Sequence, residues 1–326
     1  MELILLLGAA FGVGLVLDVF DSTDNTTEDA PIDDTPPPTE LTDQNDFLED
    51  KTNDDLLVYG LDGDDDILEG YGNSTLFGGE GSDYLRSEGG QDIIFGGNDA
   101  DTIVIYNSSL RDGEDEATAY GGAGNDWIAT RFGDDEVHGG SGNDLIGDAT
   151  IFGTEVFGGI TDDDTIYGGS GNDNISTRVG ADIVYGGTGD DQIMSAPSLE
   201  TEIRYNDLAA PDTLYGGEGN DRVFAVNGST LFGGEGEDTL ATITRASTVD
   251  VFEPVVIADF NPDEDMIELT AYGLGNPTFG DITYEDRDDG SVMVSIDGND
   301  YALILNTQSS DLNAANLSIE ARPNGG

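Results

Sequence analysis

Aliphatic residues return every nine positions along most of this chain. A frame set on residues 78–86, GGEGSDYLR, places Leu85 at position eight, and steps of nine put Val58, Ile67, Leu76, Ile94 and Ile103 at the same position. A second run from Gly121 supplies Ile128, Val137, Ile146, Val156, Ile166, Ile175, Val184 and Ile193, given one extra residue in each of 148–157 and 158–167. A third run gives Val223, Leu231 and Leu240, with one residue missing in 225–232. All seventeen are Val, Ile or Leu, whereas position seven holds residues as unlike as Asp66, Thr75, Tyr84, Ile93, Trp127, Glu136, Gln192 and Arg222. One side is always aliphatic and the other is anything, which is the inside/outside alternation of a very short β-strand. Positions one to six are rich in Gly and Asp, and Gly permits the positive φ and close backbone approach of tight turns. Turn, three-residue strand, turn, three-residue strand makes a coil of about eighteen residues. Such coils, stacked about 4.8 Å apart as parallel strands, predict an all-β, two-sheet β-solenoid with an aliphatic filling and two edges built from turns.

The pattern divides the chain into four parts. Residues 1–20 contain an apolar run at 3–17, LILLLGAAFGVGLVL, short for a membrane span and long enough for the apolar part of an export signal. It is read as an export or anchor segment, although Glu2 stands where a basic residue is usual. Residues 21–50 are acidic and Pro-rich and are expected to be a disordered linker. The repeats fill 51–248, interrupted near 105–120 and 195–215. From 249 to 326 the period stops and longer strand-like stretches such as VFEPVVIADF, DMIELTAYG, SVMVSID and YALILN predict a C-terminal β-rich cap.

Charge changes the picture. Among 326 residues, 69 are acidic and 10 basic, a formal net charge of −59. This excludes nucleic-acid binding through a basic face and disfavours anionic membrane surfaces. Carboxylates at this density repel one another in any compact state, so the composition invites cations. There is no Cys, the only Lys is Lys51 and the only His is His138, so a bound ion must accept oxygen ligands. Calcium suits such a set, taking six to eight oxygens at about 2.3–2.6 Å in tolerant geometry.

The segments GGAGNDWIA (121–129), GGSGNDLIG (139–147), GGSGNDNIS (168–176), GGTGDDQIM (186–194), GGEGNDRVF (216–224) and GGEGEDTLA (233–241) are similar to the RTX nonapeptide GGxGxDxUx. The resemblance covers roughly residues 51–241, with breaks. It implies a parallel β-roll in which several Ca²⁺ ions lie between turns of neighbouring coils, held by position-six carboxylates and turn carbonyls. Carried over residue by residue, the metal ligands are Asp65, Asp83, Asp92, Asp101, Asp126, Asp135, Asp144, Asp164, Asp173, Asp182, Asp191, Asp221 and Asp238. Spacing supports this, because turns on one edge recur every two units: Asp65, Asp83 and Asp101 stand at that interval, as do Asp126 with Asp144, Asp173 with Asp191, and Asp164 with Asp182. On the opposite edge of the first run, position six is Leu56, then Ser74, then Asp92, so weak binding is expected there. Asp99 replaces a glycine in 96–104, which puts that turn in doubt.

The expected behaviour is a roll that is unfolded without calcium and folds with it. The RTX resemblance further implies export through a type I secretion machinery and an extracellular location, free or tethered at the cell surface. VVIADFNPDEDMIEL resembles the stretch that follows the repeats in many secreted RTX proteins, which implies a cap carrying the secretion signal. A surface, adhesive or matrix role follows, with cell-surface or extracellular polysaccharide as a candidate partner. No catalytic constellation is visible: ahead of residue 51 there are only the apolar run and the linker, and His138 falls at an outward-facing position nine. The enzymatic rival is a polysaccharide lyase or epimerase working in a groove made by the interruptions.

Overall fold

The computed structural model describes residues 37–106, 116–131, 133–148, 162–177, 180–195, 210–226, 228–245, 253–273, 282–296 and 298–323. Each coil contributes one strand to each of two sheets. Leu76, in the strand Thr75–Glu80, pairs in parallel with Val58 of the preceding coil and Ile94 of the next. Leu85, in Tyr84–Ser87, pairs likewise with Ile67 and Ile103. Among the described residues repetition yields a fourteen-stranded and a twelve-stranded sheet with the alternate strand order of a coil. The fold is therefore the parallel β-roll that the period implies; the one helical element among the described residues is a single 3₁₀ turn, Ser309–Asp311.

Of the seventeen aliphatic residues at position eight, sixteen are described and none is more than 1% exposed. The other, Val156, lies outside the described residues. Val137 pairs directly with Ile166 in the larger sheet. The interruptions are narrower than expected. Thr118–Ala123 and Thr213–Glu218 are regular strands that pair on both sides, and they add Ala119 and Leu214 to the filling.

The two sheets are not alike. Strands of the larger sheet run six residues because positions one to three remain extended and pair coil to coil, as Gly79 does with Leu61 and Gly97. Those of the smaller sheet before Thr239, such as Asp66–Leu68 and Tyr84–Ser87, run three or four residues. On the outer face of the larger sheet, position nine forms a column of stacked rings: Tyr59, Phe77, Phe95, Tyr120, His138, Tyr167, Tyr185, Tyr215 and Phe232. Centroid separations are 4.5–5.0 Å and the planes lie within 15° of parallel. In-register parallel strands force this stack, which adds aromatic contact to each step. His138 is one ring of it, its Nε2 2.8 Å from Glu136 Oε1.

The ladder extends beyond the repeats in both directions. Thr39–Glu40 pairs with Val58 and Tyr59, and Phe47–Glu49 with Asp66–Leu68, so residues 39–49 of the expected linker form a first coil. At the other end, Met266–Gly273 pairs along seven positions with Thr239–Arg245 and then with Leu317–Pro323. The larger sheet continues through Val255–Ile257 and Asn299–Ile304, then turns antiparallel at Val292–Ile296 and Ile282–Asp286. The C-terminal β segment is thus built onto the same two sheets.

Candidate metal centre

The turns leading from the larger sheet to the smaller define one edge of the roll, the first edge. Each ends in an aspartate at position six, and in sequence order these are Asp46, Asp65, Asp83, Asp101, Asp126, Asp144, Asp173, Asp191, Asp221, Asp238 and Asp265. The N–H of each donates to Oδ1 of the next, in ten consecutive bonds of 2.7–3.1 Å. A second ladder runs the other way at position five. Oδ1 of Asn125 accepts from Asn143 N–H, Asn143 from Asn172, Asn172 from Asp190, Asp190 from Asn220, and Asn220 from Glu237, at 2.7–3.0 Å. Two opposed ladders explain why Asn or Asp so often precedes the position-six aspartate: both residues tie their turn to a neighbour.

One carboxylate oxygen per turn is used in this way, and the other is not. Oδ2 of Asp65, Asp83, Asp101, Asp126, Asp144, Asp173, Asp191, Asp221 and Asp238 is buried without a hydrogen-bond partner, and none of these residues is more than 2% exposed. A buried carboxylate oxygen left bare is costly. Glycine at position one keeps its surroundings open: a Cβ on Gly78 would stand 2.2 Å from Asp83 Oδ2 and 2.5 Å from the Gly96 carbonyl of the next coil. The same pairing of a bare Oδ2 with a carbonyl one coil on recurs at Gly60, Gly96, Gly121, Gly139, Gly168, Gly186 and Gly216, making eight gaps in all. Hard oxygen donors, alternately carboxylate and carbonyl, are the set that calcium takes. Among the described residues no three acidic or histidine side chains converge as a metal cluster, so carbonyls must supply much of any coordination shell. The donors on this edge fit the ion.

Asp99 settles the doubtful turn at 96–101. It takes the left-handed conformation that glycine takes elsewhere, φ 71°, and Asp is among the residues that tolerate it. Leu61 does the same at φ 82° with less to recommend it, and stands partly exposed.

The second edge is built differently. Position six there is Leu56, Ser74, Asp92, Ala117, Asp135, Asp164, Asp182, Asp212 and Ser229. The ladder persists with substitutes: Leu56 N–H donates to Ser74 Oγ at 3.0 Å, and Asp212 N–H to Ser229 Oγ at 3.1 Å. Ser74 N–H reaches Asp92 Oδ1, and Ala117, Asp135, Asp164 and Asp182 donate in turn to Asp135, Asp164, Asp182 and Asp212, at 2.7–3.0 Å. Position one on this edge carries no glycine at Glu69, Ser87, Ile105, Thr130, Thr177, Ser195 and Ala225, and four of these offer a hydroxyl. Ser87 Oγ donates to Asp92 Oδ2 and Ser195 Oγ to Asp212 Oδ2. The buried Thr177 hydroxyl lies near enough to Asp182 to favour its charged form, without hydrogen-bond geometry.

Burial with no counter-charge raises the buried carboxyls of both edges, while Asp46 is lowered by its hydrogen bonds from Thr42. On the first edge desolvation pushes Asp83, Asp126, Asp173, Asp221 and Asp238 up to about 6, Asp191 to about 7 and Asp101 to about 8. Asp65 and Asp144 are raised for the same reason. On the second edge burial lifts Asp182 to about 8, and Asp164 rises well above the carboxylate range through burial and the charges of Asp135, Asp162 and Asp182. Carboxyls so displaced are groups whose charged form a bound cation would stabilise.

Of the thirteen aspartates read as ligands, nine line the first edge with Oδ2 bare; Asp92, Asp135, Asp164 and Asp182 belong to the second. The pairs inferred from spacing lie on common edges. Sequence reasoning missed Asp46, Asp212 and Asp265, which carry the ladders into the first coil, an interruption and the C-terminal segment. A shorter signal would have found them, since Asp46-Phe-Leu48, Asp212-Thr-Leu214 and Asp265-Met-Ile267 keep the Asp-x-aliphatic core of the nonapeptide without its glycines.

Comparison with known families places the RTX calcium-binding nonapeptide repeat on this chain in four copies, at residues 70–103, 113–146, 158–193 and 206–229. No curated protein matches the chain.

Proposed function

This chain carries RTX calcium-binding nonapeptide repeats, and we propose that it is an exported protein whose β-roll folds on calcium outside the cell, with a structural, surface or adhesive role. The observation that carries the reading is the row of nine buried, bare Oδ2 atoms on one edge. Each ion would be held between a position-six Oδ2 and carbonyls of the adjoining coil, and it supplies the positive charge that the chain lacks. The residues do the rest. Position-six Oδ1 and position-five oxygens fix the turns in register, and position-one glycines keep the gap clear.

Magnitudes favour coupling to folding. At ten times its dissociation constant, each site adds about 1.4 kcal/mol. Eight such gaps add about 11 kcal/mol, as much as the whole net stability of an ordinary domain. A chain with this requirement stays unfolded where calcium is scarce and folds where it is plentiful, which suits export in the unfolded state. The absence of cysteine and the acidic surplus are compatible with that route. Among the described residues no helix is long and apolar enough to cross a membrane, and the apolar run 3–17 lies outside them. Far-UV circular dichroism of the full chain in chelator, then in millimolar Ca²⁺, tests the reading. Strand signal that appears only with calcium supports it, and the same signal in both overturns it.

One observation favours the enzymatic rival. Tyr106, at the start of the first interruption, lies between two guanidinium groups, Arg131 at 4.2 Å and Arg86 at 5.2 Å from the ring centroid. A phenol beside cationic groups is what a lyase or epimerase acting on an acidic polysaccharide uses. Unsaturated products from alginate or pectin, lost in Tyr106→Phe, would establish that reading in place of a purely structural one.

A further inference from the structure

The two edges offer a cation very different surroundings. On the first edge every aspartate from Asp65 to Asp238 has an aspartate one coil before and one coil after it. Each also has a bare Oδ2 and a glycine at position one. At two places on the second edge none of these conditions holds. Asp92 uses Oδ1 to accept from Ser74 N–H and Oδ2 to accept from the Ser87 hydroxyl. Its neighbours at position six are Ser74 and Ala117. Asp212 uses Oδ1 for Asp182 N–H and Oδ2 for the Ser195 hydroxyl, with Ser229 Oγ at 3.5 Å. Its following neighbour is Ser229. Ser87, Ser195 and Ser229 are themselves buried.

The column of bare oxygens is also bounded along its length. Asp46 Oδ2 accepts from both the N–H and the hydroxyl of Thr42, at 2.7 and 2.6 Å. Asp265 Oδ2 accepts from Asn261 N–H at 2.7 Å. Asp46 joins the ladder through its N–H and Asp265 through its Oδ1, and in both the Oδ2 already accepts a hydrogen bond.

Building on the calcium-binding reading, we propose that calcium is taken up on the first edge between Asp65 and Asp238, and that the hydroxyl-closed turns at Asp92 and Asp212 hold no ion. Serine side chains there do what the ion does opposite: they satisfy the second carboxylate oxygen. An ion at Asp92 would have to displace the Ser87 hydroxyl and would find no aspartate at position six of either adjoining coil; the one acidic side chain beside it is the buried Glu69, at position one of the coil before. The roll is then an asymmetric object, ion-dependent along one edge and closed by its own hydrogen bonds at two places on the other.

Native mass spectrometry of the full chain in calcium counts the ions on the folded form. Asp92→Asn and Asp212→Asn are expected to keep the wild-type number, while Asp126→Asn and Asp191→Asn each lose one or two. Equal losses in all four variants would overturn the inference, as would no loss in Asp126→Asn. Wild-type protein provides a test that needs no variant: anomalous scattering from crystals grown in calcium should place ions along the first edge and none beside Asp92 or Asp212. A peak beside either residue contradicts the inference. Wild-type protein that binds no calcium at all removes the underlying reading and this inference with it; calcium bound beside Asp92 or Asp212 removes the inference alone.

Discussion

The main-chain N–H of Asp126 donates to Oδ1 of Asp144 in the next coil at 2.9 Å, and both residues keep Oδ2 buried and without a partner. This relationship, repeated along the first edge, separates two jobs within one carboxylate. One oxygen sets the register of the turns and the other is left for a cation.

Asp144→Asn separates the jobs experimentally. Asparagine keeps a carbonyl oxygen for Asp126 N–H and replaces Oδ2 with a donor, so the ladder survives while the ion ligand is lost. In calcium the variant should lose about 1.4 kcal/mol or more of binding-linked stability, seen as a melting temperature lower by roughly 2–6 °C. In chelator at neutral pH neither protein is expected to show the strand signal, so the loss is read in calcium. Melting curves in calcium, with the chelated samples as the unfolded reference, check it.

Glycine at position one should be irreplaceable where it faces the carboxylate. In Gly139→Ala the new Cβ would meet Asp144 Oδ2 and the Gly168 carbonyl, each at 2.5 Å, and one of them is main chain. A loss of about 1–3 kcal/mol and a weaker calcium affinity are expected. Gly147→Ala is the control, since its Cβ finds nothing nearer than 3.4 Å and should change stability by less than about 1 kcal/mol. Calcium-dependent thermal melts of the pair measure the difference.

Acid should partly replace calcium. Seven first-edge carboxyls, Asp83, Asp101, Asp126, Asp173, Asp191, Asp221 and Asp238, sit at about 6 to 8 when folded, above the unfolded value near 4, so the folded, ion-free roll binds more protons than the unfolded chain. The penalty for burying these groups is full above the folded values and vanishes below the unfolded one. In chelator, strand content should therefore rise as pH falls from about 8 toward 4. With calcium present the trend reverses, because protons compete for the same oxygens and apparent affinity declines below about pH 6. Circular dichroism across that range, with and without chelator, shows whether the two trends oppose.

The ring column should stabilise the roll without touching the ions. Tyr167→Ala removes stacking on His138 at 4.7 Å and on Tyr185 at 5.0 Å, worth about 1–3 kcal/mol for the two contacts. Tyr167→Phe should be nearly neutral, and neither variant should change the number of ions bound. Thermal melts and ion counts of the two variants test this.

Much of this architecture was legible in the sequence because a solenoid repeats one local decision. The aliphatic position eight and the variable position seven define strand, filling and outer face without any long-range argument, and Asp126 and Asp144 fall on one edge by arithmetic alone. The strict frame failed where the chain departed from nine residues. It counted a further unit between Val137 and Ile166, which pair directly in the larger sheet, and it lost Leu214 and Asp212 inside an apparent interruption. Composition misled at 39–49, where acidity suggested disorder although Phe47 and Leu48 suffice to pair with the roll. The difference between the edges was hidden for another reason. Ser87 and Ser195 look unremarkable in the sequence, and their effect depends on which carboxylate oxygen lies beside them.

Titration calorimetry of the chelated full-length chain with Ca²⁺ at neutral pH bears most directly on the bare Oδ2 row. Uptake of several ions per chain, with the large heat of coupled folding and a smaller count in Asp144→Asn, is the predicted result. A flat titration up to millimolar calcium would contradict the account.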